Sequence, residues 1–269
     1  ECKIQQTFQG LQKSFFKDKR LHGEQMKLLK QKGDYLTVQA MRYLRSAKWL
    51  VLIPIIGVVV TSIHGYFFGF GSAHEWAIII SVLFGIFSIG ISLSFVRHYF
   101  RYKDAGIAED IVSNKLNELG DECYLINDAL LPKSYGNIDH ILLCPNGIFL
   151  IETKNLKGRI SCSGDIWTQF KHEWKMSMEH EIRSPSTQAK RNAVILKEFI
   201  QQYFKNKIIW VDSIVVFPDD TELILDKPTI AVKHINELLE FIRQKKSATK
   251  YSQVELEEIG KTIMENQRK

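Results

Sequence analysis

Two stretches of the 269-residue chain limit its fold more than any other feature: "WLVLIPIIGVVVTSIHGYFFGF" (Trp49 to Phe70) and "WAIIISVLFGIFSIGISLSFV" (Trp76 to Val96). Each is apolar for about 21 to 22 residues. At ~1.5 Å of rise per residue that is roughly 30 Å of helix, the thickness of a bilayer's hydrocarbon core. The second carries no charge, and the first holds only Pro54 and His64 as departures, both tolerable in a span. A pair of buried core helices is the competing reading. It fits poorly with two such runs joined by a link of about five residues, Gly71 to Glu75. Trp49, Trp76 and the Tyr66 to Phe70 cluster fall where interfacial aromatic residues collect. Residues 48–97 therefore read as a transmembrane hairpin.

The flanks give an orientation. Arg42, Arg45 and Lys48 precede the first span and Arg97, Arg101 and Lys103 follow the second, while the link holds His74 and Glu75. Short Lys/Arg-rich flanks stay cytoplasmic, so both termini are expected in the cytoplasm of an integral protein of the cell membrane. Residues 1–47 are polar and Lys-rich and read as helical, either solvated or lying on an anionic leaflet. Residues 98–104 read as a basic juxtamembrane linker. The net charge of +6 suits an anionic partner without demanding one. Cys2, Cys123, Cys144 and Cys162 form no CxxC pair, which favours reduced, buried thiols over a disulfide frame or zinc site. Nothing at the start has the basic, apolar, small-residue order of a secretory signal.

The remainder alternates helix and strand signals. In "AGIAEDIVSNKLNELG", Ile107, Ile111, Val112, Leu116 and Leu119 share a helical face, with Asp104 placed to cap the start and Gly120 the end. Strands are expected around 123–125, 138–144, 148–154, 158–163 and 166–170. Ser184 and Pro185 open a helix whose stripe runs through Val194, Ile195, Phe199 and Phe204. "IIWVDSIVVFP" reads as a strand covered on both faces. A short strand near 229–232 precedes two helices, the second opening on Ser252 and Glu255 in capping-box spacing. This order describes an α/β or α+β sandwich with a central mixed sheet.

The polar residues carry the functional question. Glu152 and Lys154 share one face of their strand and Thr153 takes the other. A hairpin closed by Pro145 to Gly147 brings Asp139 beside them. Two carboxylates so placed repel each other unless a cation lies between them, and a hard divalent ion is the natural one. A lysine there could orient water or stabilise charge on a phosphate. Glu109, read alone, is a solvated first-turn acid. His140 alternates to the opposite face and reads as packing. "KHEWKMSMEHE" (Lys171 to Glu181) lacks HExxH spacing and reads as a solvated strand and loop. Lys133, Lys157, Arg159, Lys171, Lys190 and Arg191 surround the site in sequence and could touch phosphates or could form a solvated face. No Gly-rich phosphate loop or Ser-His-Asp order is present.

"IDHILLCPNGIFLIETKNLKGRI" resembles the core of the nuclease-related domain (NERD), a branch of the PD-(D/E)xK nuclease superfamily with a restriction-endonuclease-like fold. Asp139 matches its Asp, and Glu152, Thr153 and Lys154 match its E-x-K. Gly106 and Glu109 match its first helix, Pro185 and Gln188 its later helix, and Gly158 to Trp167 a "GxIxxxGDxW"-like run. The resemblance covers roughly residues 105–218 and implies a domain over 105–225, followed by a helical extension over 226–269. It implies that Asp139 and Glu152 ligate Mg²⁺ (or Mn²⁺), helped by the Thr153 carbonyl. Lys154 would position the attacking water, with Glu109 and Gln188 auxiliary, reversing the isolated reading of Glu109. The expected activity is phosphodiester hydrolysis of nucleic acid, DNA ahead of RNA. The alternative is a catalytically inactive module that binds nucleic acid or protein at the membrane.

Overall fold

The computed structural model describes residues 27–30, 35–68, 72–173, 176–246 and 249–268. Helix α1 (Tyr35–Phe68) and helix α2 (Ser72–Leu116) run antiparallel. Both are long and apolar enough to cross a membrane. Their contact is lined by small residues, as expected where lipid supplies no hydrophobic drive and backbones must approach closely. Ser92 Oγ donates to the Ala47 carbonyl at 3.2 Å, Gly85 lies against Pro54, and Gly57 lies near Ser81. Ser88 and Ser92 are buried between the helices. Ile53, Ile80, Ile86 and Phe87 face outward, each more than half exposed.

Helix α2 does not stop where the apolar run ends. Its 45 residues pass unbroken through Arg97–Lys103 into the soluble domain, so Asp104 lies inside a helix rather than capping a new one, and residues 98–104 are helical. No Pro or Gly interrupts that stretch. The Tyr43 ring also stacks on His98 and Tyr102, with centroids 5.2 and 5.5 Å away, extending the helix pair past its apolar part. The helix finally tightens into a 3-10 turn, Asn117–Leu119, and ends at Gly120, whose φ of 94° suits glycine.

The domain is built on a six-stranded mixed sheet: β1 (Lys27–Lys30), β2 (Tyr124–Ala129), β3 (Ile138–Cys144), β4 (Gly147–Thr153), β8 (Val211–Phe217) and β10 (Ala231–His234), adjacent in that order. Strands β2, β3 and β4 pair antiparallel, and the other neighbours are parallel. A second sheet holds β7 (Met176–Ile182), β6 (Ile166–Glu173), β5 (Arg159–Ser163) and β9 (Glu222–Asp226). Three helices complete the fold: α3 (Pro185–Tyr203), α4 (Ile235–Gln244) and α5 (Gln253–Glu265). Alternate residues of the large sheet feed two cores. Ile141, Leu143, Ile148, Leu150, Val215 and Phe217 pack towards α3, α5 and the second sheet. Leu142, Phe149, Ile151, Ile214 and Val216 pack against the end of α2 and against α4. The run from Ile214 to Phe217 is fully buried, as a strand covered on both faces should be.

Several expectations change. Lys27–Lys30 forms an edge strand rather than part of a helix, while residues 1–26 lie outside the described residues. The buried side of α3 is Ala189, Ala193, Leu196 and Ile200, with Phe199; Val194 is exposed, because the small alanines let the helix close onto the sheet. On α2, Ala108, Val112 and Leu116 are buried while Ile107 and Ile111 face out. Cys123, just before β2, and Cys144, the last residue of β3, both expected as thiols, have Cα atoms 4.4 Å apart and are joined in a disulfide. Cys162 is free and buried, and Cys2 lies outside the described residues.

At Gly85 an added Cβ would meet Pro54 at 3.6 Å, an ordinary contact. Gly85→Ala should therefore leave the helix pair intact. Gly85→Leu should part the helices at a cost of about 1–3 kcal/mol, read as a lowered unfolding midpoint of the detergent-solubilised chain.

Candidate functional site

The hairpin of β3 and β4 turns at Pro145 and Asn146, and its pairing runs back from Cys144↔Gly147 to His140↔Ile151. One further step of that register sets Asp139 opposite Glu152. Side chains alternate, so Asp139 follows Ile141 and Leu143 towards the α3 face, and Glu152 follows Ile148 and Leu150. Two acids thus stand side by side where an apolar core runs out. The Thr153 N–H donates to Asp139 Oδ2 at 2.8 Å, and the Lys154 N–H to the Val216 carbonyl at 2.9 Å, which holds the strand end in place. Lys154 Nζ donates to Glu152 Oε1 at 2.7 Å and to Gln188 Oε1 at 3.1 Å, while Gln188 Nε2 donates to the same Glu152 Oε1 at 2.6 Å. The other oxygen, Glu152 Oε2, is buried without a partner.

Gln188 reaches this point because the start of α3 is fixed. Ser184 caps the helix, accepting from the Thr187 N–H at 3.1 Å, with Pro185 at the first helical position. Ser186 donates to Asp165 at 2.7 Å and accepts from the buried indole of Trp167 at 2.9 Å. Lys190 and Thr229 also donate to Asp165, and these hydrogen bonds hold its carboxyl down to about 2. On the α2 side, Asn155 Nδ2 donates to the Asp104 carbonyl at 2.8 Å, tying the stretch after β4 to the helix that carries Glu109.

Burial raises the Asp139 carboxyl well above its ordinary value, and the charges of Glu152 and Glu109 push it further. The Thr153 amide and Lys154 offset only part of this. Burial raises Glu152 as well, opposed by Lys154, Arg191 and Arg183. The structure therefore brings Asp139, Glu152, Lys154 and Gln188 into one cluster, with Glu109 within electrostatic reach. Thr153 meets Asp139 through its amide, and its side chain faces away. His140 is on the opposite face, as expected. Asn127 spends its amide on Ser113 at 2.9 Å, so its oxygen accepts from His140 Nδ1 at 2.7 Å. Among the basic residues, Arg159 pairs with Glu222 and Lys190 with Asp165, whereas the side chain of Lys171 lies outside the described residues. His180 and Glu181 are exposed on β7. Arg183 and Tyr135 were not singled out in the sequence. The spacing of Arg191 three residues after Gln188 was the available signal for a shared helix face. Among the described residues no cluster of three or more His, Cys, Asp or Glu side chains has the arrangement of a metal site.

Because both carboxyls titrate higher in the folded chain than unfolded, the folded state binds their protons more tightly. That contribution is complete below the ordinary carboxylate range and is lost as pH rises through the raised folded values. Asp139→Asn should therefore raise the unfolding temperature of the metal-free protein at neutral pH and flatten its dependence between mildly acidic and neutral pH, measured by thermal scans across that range.

Residues 106–218, from the last turns of α2 to the end of β8, match the family model described as nuclease-related domain, NERD. No curated protein and no solved structure matches the chain. A mixed sheet with helices on both faces, preceded by two long apolar helices, is the fold that surrounds the match. The chain thus carries at residues 106–218 a nuclease-related domain, a member of the restriction-endonuclease-like folds.

Proposed function

We propose that the chain is a membrane-anchored, metal-dependent nuclease that hydrolyses phosphodiester bonds of nucleic acid, DNA ahead of RNA, on the cytoplasmic side. The observation that carries this reading is the pair Asp139 and Glu152. Both acids are raised and stand side by side, Glu152 buried and Asp139 half-buried, and Glu152 Oε2 has no partner. A buried carboxylate oxygen without a partner is costly in a protein alone, and hard oxygen donors of this kind fit a divalent cation such as Mg²⁺ or Mn²⁺. Asp139 and Glu152 would hold it, with the Thr153 carbonyl as a third donor. When bound, such an ion lowers the pKa of water and stabilises charge on a phosphoryl group.

The chain's own groups do the rest. Lys154 and Gln188 converge on Glu152 Oε1 and fix the orientation of its carboxylate. Lys154 also offers an ammonium to a water or a phosphate oxygen beside the acids. Glu109, carried on α2, adds negative charge and accepts a proton or orients water at the rim. The domain division that goes with this function is an anchor over 48–97 and a nuclease domain over 105–225, with the residues beyond it adding β10, α4 and α5 to the same sheet and cores.

The cytoplasmic placement rests on the basic residues flanking both apolar helices. A disulfide favours an oxidising compartment. However, Cys123 and Cys144 face each other across a strand pair and lie within bonding reach in any compartment. In the proposed orientation this pair is reduced in living cells. Acid quenching followed by thiol alkylation should find both cysteines labelled, and a disulfide persisting in cells would place the domain outside.

The function itself is tested with the full chain in nanodiscs, incubated with DNA and RNA in Mg²⁺ or EDTA. Cleavage should require the metal and should fall by about 100-fold or more in Glu152→Gln and Lys154→Ala. Metal-independent cleavage would overturn the metal-dependent reading, whereas no cleavage in the wild-type chain alongside salt-dependent binding that Asp139→Ala leaves intact would identify a non-catalytic binding module.

A further inference from the structure

Arg191 is a basic side chain at the site whose position calls for a partner outside the chain. It follows Gln188 by one turn of α3, and its charge acts on Glu152. Its Nε is buried without a hydrogen bond, and no ion pair holds its guanidinium among the described residues. Its guanidinium lies over the ring of Tyr135, whose centroid is 4.8 Å from Cζ. Tyr135 stands on the connection between β2 and β3, four residues before Asp139, and its side chain is 82% exposed. An arginine fork suits a phosphate. An exposed aromatic ring backed by a guanidinium suits a nucleobase, because every base has a face to stack and the cation adds to the attraction.

From this pair we infer that the site takes single-stranded nucleic acid, or a strand opened from its duplex. Arg191 grips a phosphate beside the scissile one, and Tyr135 stacks on the base that the phosphate carries. A base inside a duplex is already stacked on both faces and cannot lie on Tyr135. The inference deepens the nuclease reading and rests on it. It separates Arg191 from a simple counter-charge for Glu152, because a counter-charge has no use for the exposed ring.

The test uses the full chain in nanodiscs and EDTA, so that binding is read without cleavage. Fluorescence anisotropy follows a labelled single strand of mixed sequence and a hairpin duplex of the same bases. The strand should bind more tightly than the duplex. Tyr135→Ala should weaken strand binding roughly tenfold and Tyr135→Trp should preserve it. Arg191→Ala should weaken it by a similar factor and lower the salt slope by about one, with partial recovery in Arg191→Lys. Tyr135 is too exposed for its loss to threaten folding. Equal affinity for strand and duplex, or wild-type strand binding in Tyr135→Ala, overturns this inference while cleavage in Mg²⁺ leaves the nuclease reading standing. A wild-type chain that neither binds nor cleaves either substrate removes both.

Discussion

The site depends on an unfavourable act: two carboxylates are withdrawn from water on adjacent strands, facing the same core. Isolated, such a pair would expel its charge by taking up protons, and the raised titration of Asp139 and Glu152 reflects that pressure. The surrounding structure answers it unevenly. Thr153 supplies an amide to Asp139, and Lys154 and Gln188 supply donors to a single oxygen of Glu152. Every donor comes from an element held by something else, whether by strand pairing with β8 or by the cap of α3. The geometry at the sheet end is thus inherited from the whole sandwich rather than from the hairpin alone.

That inheritance is clearest at α3. Asp165 and Trp167 lie on the turn and second strand of the small sheet, yet they grasp Ser186 and Lys190 and so fix the turn of helix that presents Gln188. Trp167 is fully buried and stacks near Phe217, with centroids 5.7 Å apart, which links this anchor to the large sheet. A sheet that contributes no acid to the site therefore still governs its shape.

Much of this was legible in the sequence, because hairpins and caps are local. Ile138–Cys144 is bounded as its alternation suggests, and the Ser184 and Ser252 caps lie where their motifs place them. The meeting of Asp139 with Glu152 follows from register counted off a short turn. What escaped is non-local. Lys27–Lys30 becomes a strand only because β2 offers an edge almost a hundred residues away, and Glu222–Asp226 is a largely exposed strand paired with β5, without a buried stripe to betray it. The choice of Ala193 over Val194 for the buried face was set by how closely α3 approaches the sheet, which no periodicity records. The Asp165 hydrogen bonds join residues 21 to 64 positions apart, beyond the reach of pattern.

Helix α2 carries a spatial consequence. With Trp76–Val96 in lipid, Glu109 lies thirteen residues further along the same unbroken helix, a rise of about 20 Å. No Pro and no described break allows the domain to swing away from that height. The site would then work in a layer within about 20 Å of the lipid, just outside the ~8 Å over which an anionic leaflet repels a second polyanion at physiological salt. A strand lying along the membrane could enter this layer, whereas one arriving end-on would meet lipid first. Anchoring by a rigid helix would thus restrict the angles from which a substrate can approach.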